Sequence, residues 1–151
     1  DVRRSTGETT TGARVENSVP IIHARGFGRD ALELQRYSTL GSQLRNQKLF
    51  MVDLRGNVGG FPVCMESFVK NYLGKNLSRA QIRGDAGLLD DKTVLSRSIS
   101  GYQLQNDRNK KLVLIDKGSA SAAEWAYGDF ETFSNTLFVG TNTSGCFLSA
   151  S

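Results

Sequence analysis

KLFMVDLRGNVGGFPV, Lys48 to Val63, is the stretch that decides the fold. Its KLFMVDL half is a near-continuous apolar run of strand length, the pattern of a strand covered on both faces in a parallel sheet. Gly56, Gly59 and Gly60 end that run, and Pro62 then sits where a first helical turn tolerates a missing amide. Met65, Phe68, Val69, Tyr72 and Leu73 follow at helical spacing, so a helix with one buried stripe comes next. Strand, glycine turn and amphipathic helix make up most of a βαβ unit.

The same grammar extends in both directions. Downstream, KLVLID at Lys111–Asp116 repeats the buried-strand signature, Ser119–Phe130 offers alanines and aromatics suited to a helix, and LFVG at Leu137–Gly140 is a further short strand. Upstream, VPIIHA at Val19–Ala24 reads as a short strand, with Pro20 favouring its start or a sheet edge. Asp30 is an N-cap for a helix whose apolar positions are Leu34, Tyr37, Leu40 or Gly41, and Leu44. Alternating strands and helices predict an α/β fold built from right-handed crossovers, with ligands at the C-terminal ends of the strands. Asp1–Asn17, rich in Ser, Thr, Gly and Arg, reads as a flexible N-terminal segment, and residues 18–151 as one core that is incomplete at both ends. Between Leu77 and Gln105, alternations such as Thr93, Leu95, Arg97 and Ile99 suggest one or two exposed strands.

Composition narrows the function classes. A chain of 151 residues with 38% hydrophobic and 23% charged residues, 16 glycines and only 2 prolines is a folding sequence, neither collagen-like nor disordered. The net charge of +4 is spread along the chain, and its densest basic cluster, Arg108–Lys111, has no interleaved aromatics; nucleic acid is not the expected partner. No apolar run approaches the ~20 residues of a membrane span. Cys64 and Cys146 are too far apart for a zinc knuckle, and His23 is the only histidine, so neither a metal nor an organic cofactor is expected. Two cysteines make no disulfide framework, and two unpaired thiols are the plainer reading beside a Cys64–Cys146 bridge.

Two loops stand where an α/β fold does chemistry. In Asp53–Gly60 (DLRGNVGG), glycines free to take positive φ let backbone amides converge near a helix N-terminus, an arrangement that stabilises negative charge. A tight connection needing glycine only for steric reasons is the plain alternative, and a nucleotide-phosphate loop lacks the required spacing. In Asp116–Glu124 (DKGSASAAE), a serine lies at the mouth of a helix, where a developing oxyanion would meet the positive end of the macrodipole. There the plain alternative is that Ser119 or Ser121 is an N-cap.

DLRGNVGG followed by LVLIDKGSASAAE resembles the C-terminal processing, or tail-specific, protease family of serine peptidases, peptidase family S41, and the match spans Val19 to Gly145. The resemblance implies a β/α spiral core of the type shared by ClpP proteases and crotonases, acting on peptide bonds near unstructured C-termini. It makes Ser121 the nucleophile with Ser119 a bystander, assigns the oxyanion to the amides of Gly60, with Gly59, and Ala122, and leaves Glu124 as a helix residue near the site. It also implies a polypeptide substrate and an extracytoplasmic or secreted location.

One element of the family pattern is missing. The lysine general base expected 25 residues after the serine falls on Cys146, within Thr143–Phe147. General-base help is worth about 10²–10⁴-fold. Relatives of the tricorn and chlamydial type supply a histidine from an N-terminal region and a later carboxylate, and that is the favoured repair; His23 is the candidate base inside this chain, while Lys117 and Cys146 are poor ones. Two other readings keep the scaffold. One is an inactive relative that binds peptides or hydrophobic ligands; the other is a crotonase-like acyl-CoA enzyme, which also uses paired backbone amides. The sequence gives no oligomeric state.

Overall fold

The structure is a computed structural model that describes residues 11–74, 108–131, 133 and 135–145. It is an α/β fold with a five-stranded sheet in the order β1-β2-β3-β4-β5. The strands are β1 (Gly12–Glu16), β2 (Val19–His23), β3 (Leu49–Asp53), β4 (Lys110–Ile115) and β5 (Thr136–Gly140), and the helices are α1 (Ala31–Leu44), α2 (Val63–Leu73) and α3 (Ala122–Glu131). β1 pairs antiparallel with β2; every other neighbouring pair is parallel.

Residues 12–16 do not belong to a loop, as their polar composition suggested. They form β1, joined to β2 by the two-residue turn Asn17-Ser18, with φ of 49° and 66°. Positive φ at both central residues is the I′ geometry whose twist matches that of paired strands. The side chains of β1 are exposed throughout, so no apolar alternation betrays the strand. The expected strands within 77–105 lie outside the described residues.

α1 and α2 follow the predicted stripes. Asp30 caps α1 by accepting the Glu33 amide at 2.8 Å, and Tyr37, Leu40, Gly41 and Leu44 are buried. Gly41 costs roughly 1 kcal/mol of helix propensity, but a Cβ there would strike the Phe68 carbonyl oxygen, so glycine lets α1 lie directly on α2. α2 ends on Gly74 in the left-handed conformation (φ 65°), a common C-terminal stop. Cys64 is a free, buried thiol that donates to the Gly28 carbonyl, and burial pushes its pKa up to about 11. Cys146 lies outside the described residues.

The three described helices feed one core. Ile22, Phe50, Val52 and Val113 of the sheet join Tyr37, Leu40, Leu44, Met65, Phe68, Val69, Tyr72, Ala123, Ala126 and Phe130 of the helices in a single buried cluster. Phe68, Tyr72, Phe130 and Phe133 form a connected set of ring contacts with centroids 5.6–6.0 Å apart. Lys111 is buried beside these rings, its ammonium donating to the Asn109 carbonyl at 2.6 Å. Among the described residues the helices cover one face of the sheet; on the other, Ile21 and Asp53 are buried and Met51 and Leu112 half-buried, so the expectation of strands covered on both faces holds there in part. Leu49, Leu137 and Val139 on that same face are 42–61% exposed. A groove of about 520 Å³, lined by Val19, Leu49, Met51, Leu112 and Leu137, opens at the N-terminal ends of the strands.

Among the described strands the order follows chain order, so no reversal there opens a crevice between neighbouring parallel strands, which is where doubly wound sheets bind ligands. The candidate site must instead be built by loops leaving the C-terminal ends of β3 and β4.

Candidate functional site

Both loops leave adjacent parallel strands in register, Asp53 opposite Leu114, so they emerge side by side. Glycines let them touch. A Cβ on Gly118 would lie 2.8 Å from the Gly56 Cα, and one on Gly59 would lie 2.8 Å from the Ser121 Cβ and 2.9 Å from the Ala122 nitrogen. Gly59 and Gly60 hold φ of 100° and 129°, a region that residues with side chains rarely enter.

Hydrogen bonds fix this contact. Asp116 Oδ1 accepts the amides of Gly56 and Gly118, each at 2.9 Å, linking the loops at their base. Ser119, completely buried, donates its hydroxyl to the Leu54 carbonyl at 2.8 Å and accepts the Asp116 amide at 3.1 Å. The Ala120 amide reaches the Asn57 carbonyl at 2.9 Å.

Ser121 differs from Ser119 in every respect. It is half-buried, has φ of 53° and directly precedes α3. Its hydroxyl makes no hydrogen bond among the described residues. It is therefore not a side-chain N-cap: the Glu124 and Trp125 amides go to the Ser121 carbonyl at 2.9 and 3.2 Å. Ser-x-x-Glu here is half a capping box, with Glu124 Oε2 accepting the Ser121 amide at 3.0 Å. Glu124 Oε1 accepts the Thr143 hydroxyl and the Gly145 amide, both at 2.8 Å, so this buried carboxylate ties the segment after β5 to the serine.

On the other wall, the segment after β2 pairs with the glycine turn. Phe27 donates its amide to the Gly59 carbonyl at 3.1 Å and accepts the Phe61 amide at 2.8 Å, and a Cβ on Gly60 would strike the Phe27 carbonyl. Tyr37 anchors this wall from α1 by donating to the Gly26 carbonyl at 2.9 Å. Among the described residues, the amides of Gly60 and Ala122 hydrogen-bond to no protein acceptor. These two N–H groups lie in the two loops that meet where Gly59 approaches Ser121, the Ala122 one at the positive end of α3.

His23 ends β2, opposite Asp53 on β3, and among the described residues no hydrogen bond joins it to Ser121. Its Nδ1 lies 3.3 Å from Arg25 Nη2 and 3.5 Å from Asp53 Oδ2, and its buried Nε2 meets no hydrogen-bond partner among the described residues. Burial, and then the charges of Arg14 and Arg25, hold the imidazole pKa below its usual value against the opposing pull of Asp53. Asp53 is itself engaged: burial alone would raise its pKa, but the Arg55 side chain, at 2.8 and 2.9 Å, and the Arg55 amide hold it below the usual carboxylate range. Lys117 is exposed, as its place ahead of the loop suggested, and Cys146 lies outside the described residues. No three His, Cys, Asp or Glu side chains converge on a metal position among the described residues.

The model of peptidase family S41 matches residues 18–150, and this span contains both loops and the strands that carry them. The chain belongs to peptidase family S41. No curated protein matches it. Among solved structures it is similar to a lipoprotein from Streptococcus agalactiae, with a TM-score of 0.56 and 18% identity, over 91% of this chain and 51% of that one. That likeness is one of fold, and this chain spans about half the length of the lipoprotein. No described helix is long and apolar enough to cross a membrane.

Sequence reading missed Asn57, Asp116 and Asp53 as builders of the site. A signal was present: β3 and β4 both run into an aspartate just before a glycine turn. What each aspartate holds depends on chain neighbours it acquires only on folding.

Proposed function

We propose that this chain is the catalytic core of a serine endopeptidase acting on extended polypeptides outside the cytoplasm, with Ser121 as nucleophile and the Gly60 and Ala122 amides as oxyanion donors. The reading is supported above all by the close approach of Gly59 to Ser121 and Ala122, in two loops whose Gly60 and Ala122 amides meet no protein acceptor among the described residues. Ser121 Oγ attacks the scissile carbonyl and gives its proton to a base outside the described residues; the carbonyl electrons move to oxygen, where the amides meet them, and collapse expels the amine of the leaving segment. Water then hydrolyses the acyl-serine. The extracytoplasmic placement draws support from the similar lipoprotein.

A fluorophosphonate probe tests this on the full-length protein: the reading expects a covalent adduct on Ser121 that Ser121→Ala abolishes. The second reading is a noncatalytic peptide binder, favoured by the lack of any described base hydrogen-bonded to Ser121. It expects no adduct, with extended peptides bound all the same.

A further inference from the structure

Asn57 is completely buried although it lies in neither a strand nor a helix. A buried carboxamide is tolerated where its polar atoms find partners, and those partners reveal its task. Its Oδ1 accepts the Gly59 amide at 2.8 Å, and its Nδ2 donates to the Ala24 carbonyl at 2.9 Å. Its backbone carbonyl accepts the amide of Ala120, the residue before Ser121, at 2.9 Å. One residue thus joins the end of β2, the glycine turn and the serine loop.

We propose that Asn57 is the positioning residue of the oxyanion site: it fixes the direction of the Gly60 N–H and the register of the glycine turn against Ser121. This rests on the peptidase reading of the same site. With the Gly59 amide held by Asn57 Oδ1 and the Gly59 carbonyl held by the Phe27 amide, both polar groups of Gly59 are committed to the scaffold. The peptide joining Gly59 to Gly60 is planar and trans, so the Gly60 N–H points opposite to the Gly59 carbonyl, away from Phe27. Without the carboxamide, two successive glycines would sample both signs of φ, and the donor would no longer be aimed in advance. The carboxamide also needs both of its ends. Aspartate keeps the acceptor for Gly59 but sets a second oxygen against the Ala24 carbonyl where Nδ2 now donates.

The test combines amide hydrogen exchange by NMR with the rate of serine phosphonylation by a fluorophosphonate, on the full chain, for wild type and Asn57→Ala. In wild type the Gly59 and Ala120 amides are expected to exchange about tenfold or more slowly than those of Gly60 and Ala122, the worth of one hydrogen bond. In Asn57→Ala the Gly59 protection falls to the Gly60 level while core amides of α1 and α2 keep theirs, and phosphonylation slows about 10²-fold, as for a reacting group misplaced by ~1 Å. A phosphonylation rate unchanged by Asn57→Ala overturns the positioning role and leaves the peptidase reading intact. No phosphonylation of wild type, with Gly59 protected, overturns the peptidase reading and with it the role in catalysis. Should Asn57→Ala lose its core protection, the wild-type pair decides: equal exchange of Gly59 and Gly60 overturns the proposal, and selective protection of Gly59 supports it.

Discussion

Gly59→Ala is the sharpest perturbation of the contact between the loops. The added methyl carbon would lie 2.8 Å from the Ser121 Cβ, 2.8 Å from the Ala120 carbonyl oxygen and 2.9 Å from the Ala122 nitrogen. Carbon atoms in good contact sit ~3.5–4.0 Å apart, so the loops must separate by about 0.7 Å or more. The backbone cannot rotate to escape, because Gly59 is held at φ of 100° with its amide on Asn57 and its carbonyl on Phe27. Overpacking costs about 1–3 kcal/mol and an unfavourable φ another ~1–3 kcal/mol, for a total of roughly 2–6 kcal/mol if neither relaxes the other. For a chain of this size each kcal/mol lowers Tm by about 2–4 °C. A displacement near 1 Å between nucleophile and oxyanion donors should slow acylation about 10²-fold. Circular dichroism melting and the rate of fluorophosphonate labelling read the two effects separately. Wild-type Tm together with wild-type labelling in Gly59→Ala would refute the claim that this glycine is the point of contact.

Other consequences follow from the same atoms. Gly41→Ala sets a methyl into the Phe68 backbone and should destabilise by about 1–3 kcal/mol despite its better helix propensity; a raised denaturation midpoint contradicts the α1–α2 contact. Ser119→Ala removes a buried hydroxyl, leaving the Leu54 carbonyl and Asp116 amide without it, and should cost about 1–3 kcal/mol in chemical denaturation while leaving an adduct on Ser121. Both His23 and Asp53 have folded pKa values below their unfolded ones, so the unfolded chain binds more protons in each window. The His23 contribution is complete above its ordinary value of 6.5 and is lost as pH falls below it; that of Asp53 is complete above its ordinary 3.8 and is lost in more acid solution. Melting curves across pH should show two acid-side declines, with His23→Gln removing the upper one; a decline unchanged by that substitution contradicts the assignment.

Strands β3 and β4 were legible because each is an apolar run with a glycine turn behind it, and α1 and α2 because a cap, a stripe and a proline mark them. The β1–β2 hairpin was not, since a fully exposed strand carries no apolar period and Asn17-Ser18 is a weaker I′ signal than Asn-Gly. The exposed positions on the second sheet face escaped for the opposite reason: Leu49, Leu137 and Val139 look like core residues whichever face they take. At the site, residue types at two strand ends identified the serine loop and the glycine loop. Which atoms bind them together was hidden, because Asn57 reaches Ala24 and Asp116 reaches Gly56 across gaps in sequence that local pattern does not span. His23 stands out in the sequence as the lone imidazole, and its neighbour Asp53 is visible only in the strand register.

The most direct measurement of the account is a crystal structure of the full-length protein with a peptide boronate, a mimic of the tetrahedral intermediate. The account predicts a bond from Ser121 Oγ to boron, with one boronate oxygen about 2.7–3.1 Å from the nitrogens of both Gly60 and Ala122. A boronate bound at another residue, or one on Ser121 with its oxygens turned to solvent and neither amide in reach, would contradict it.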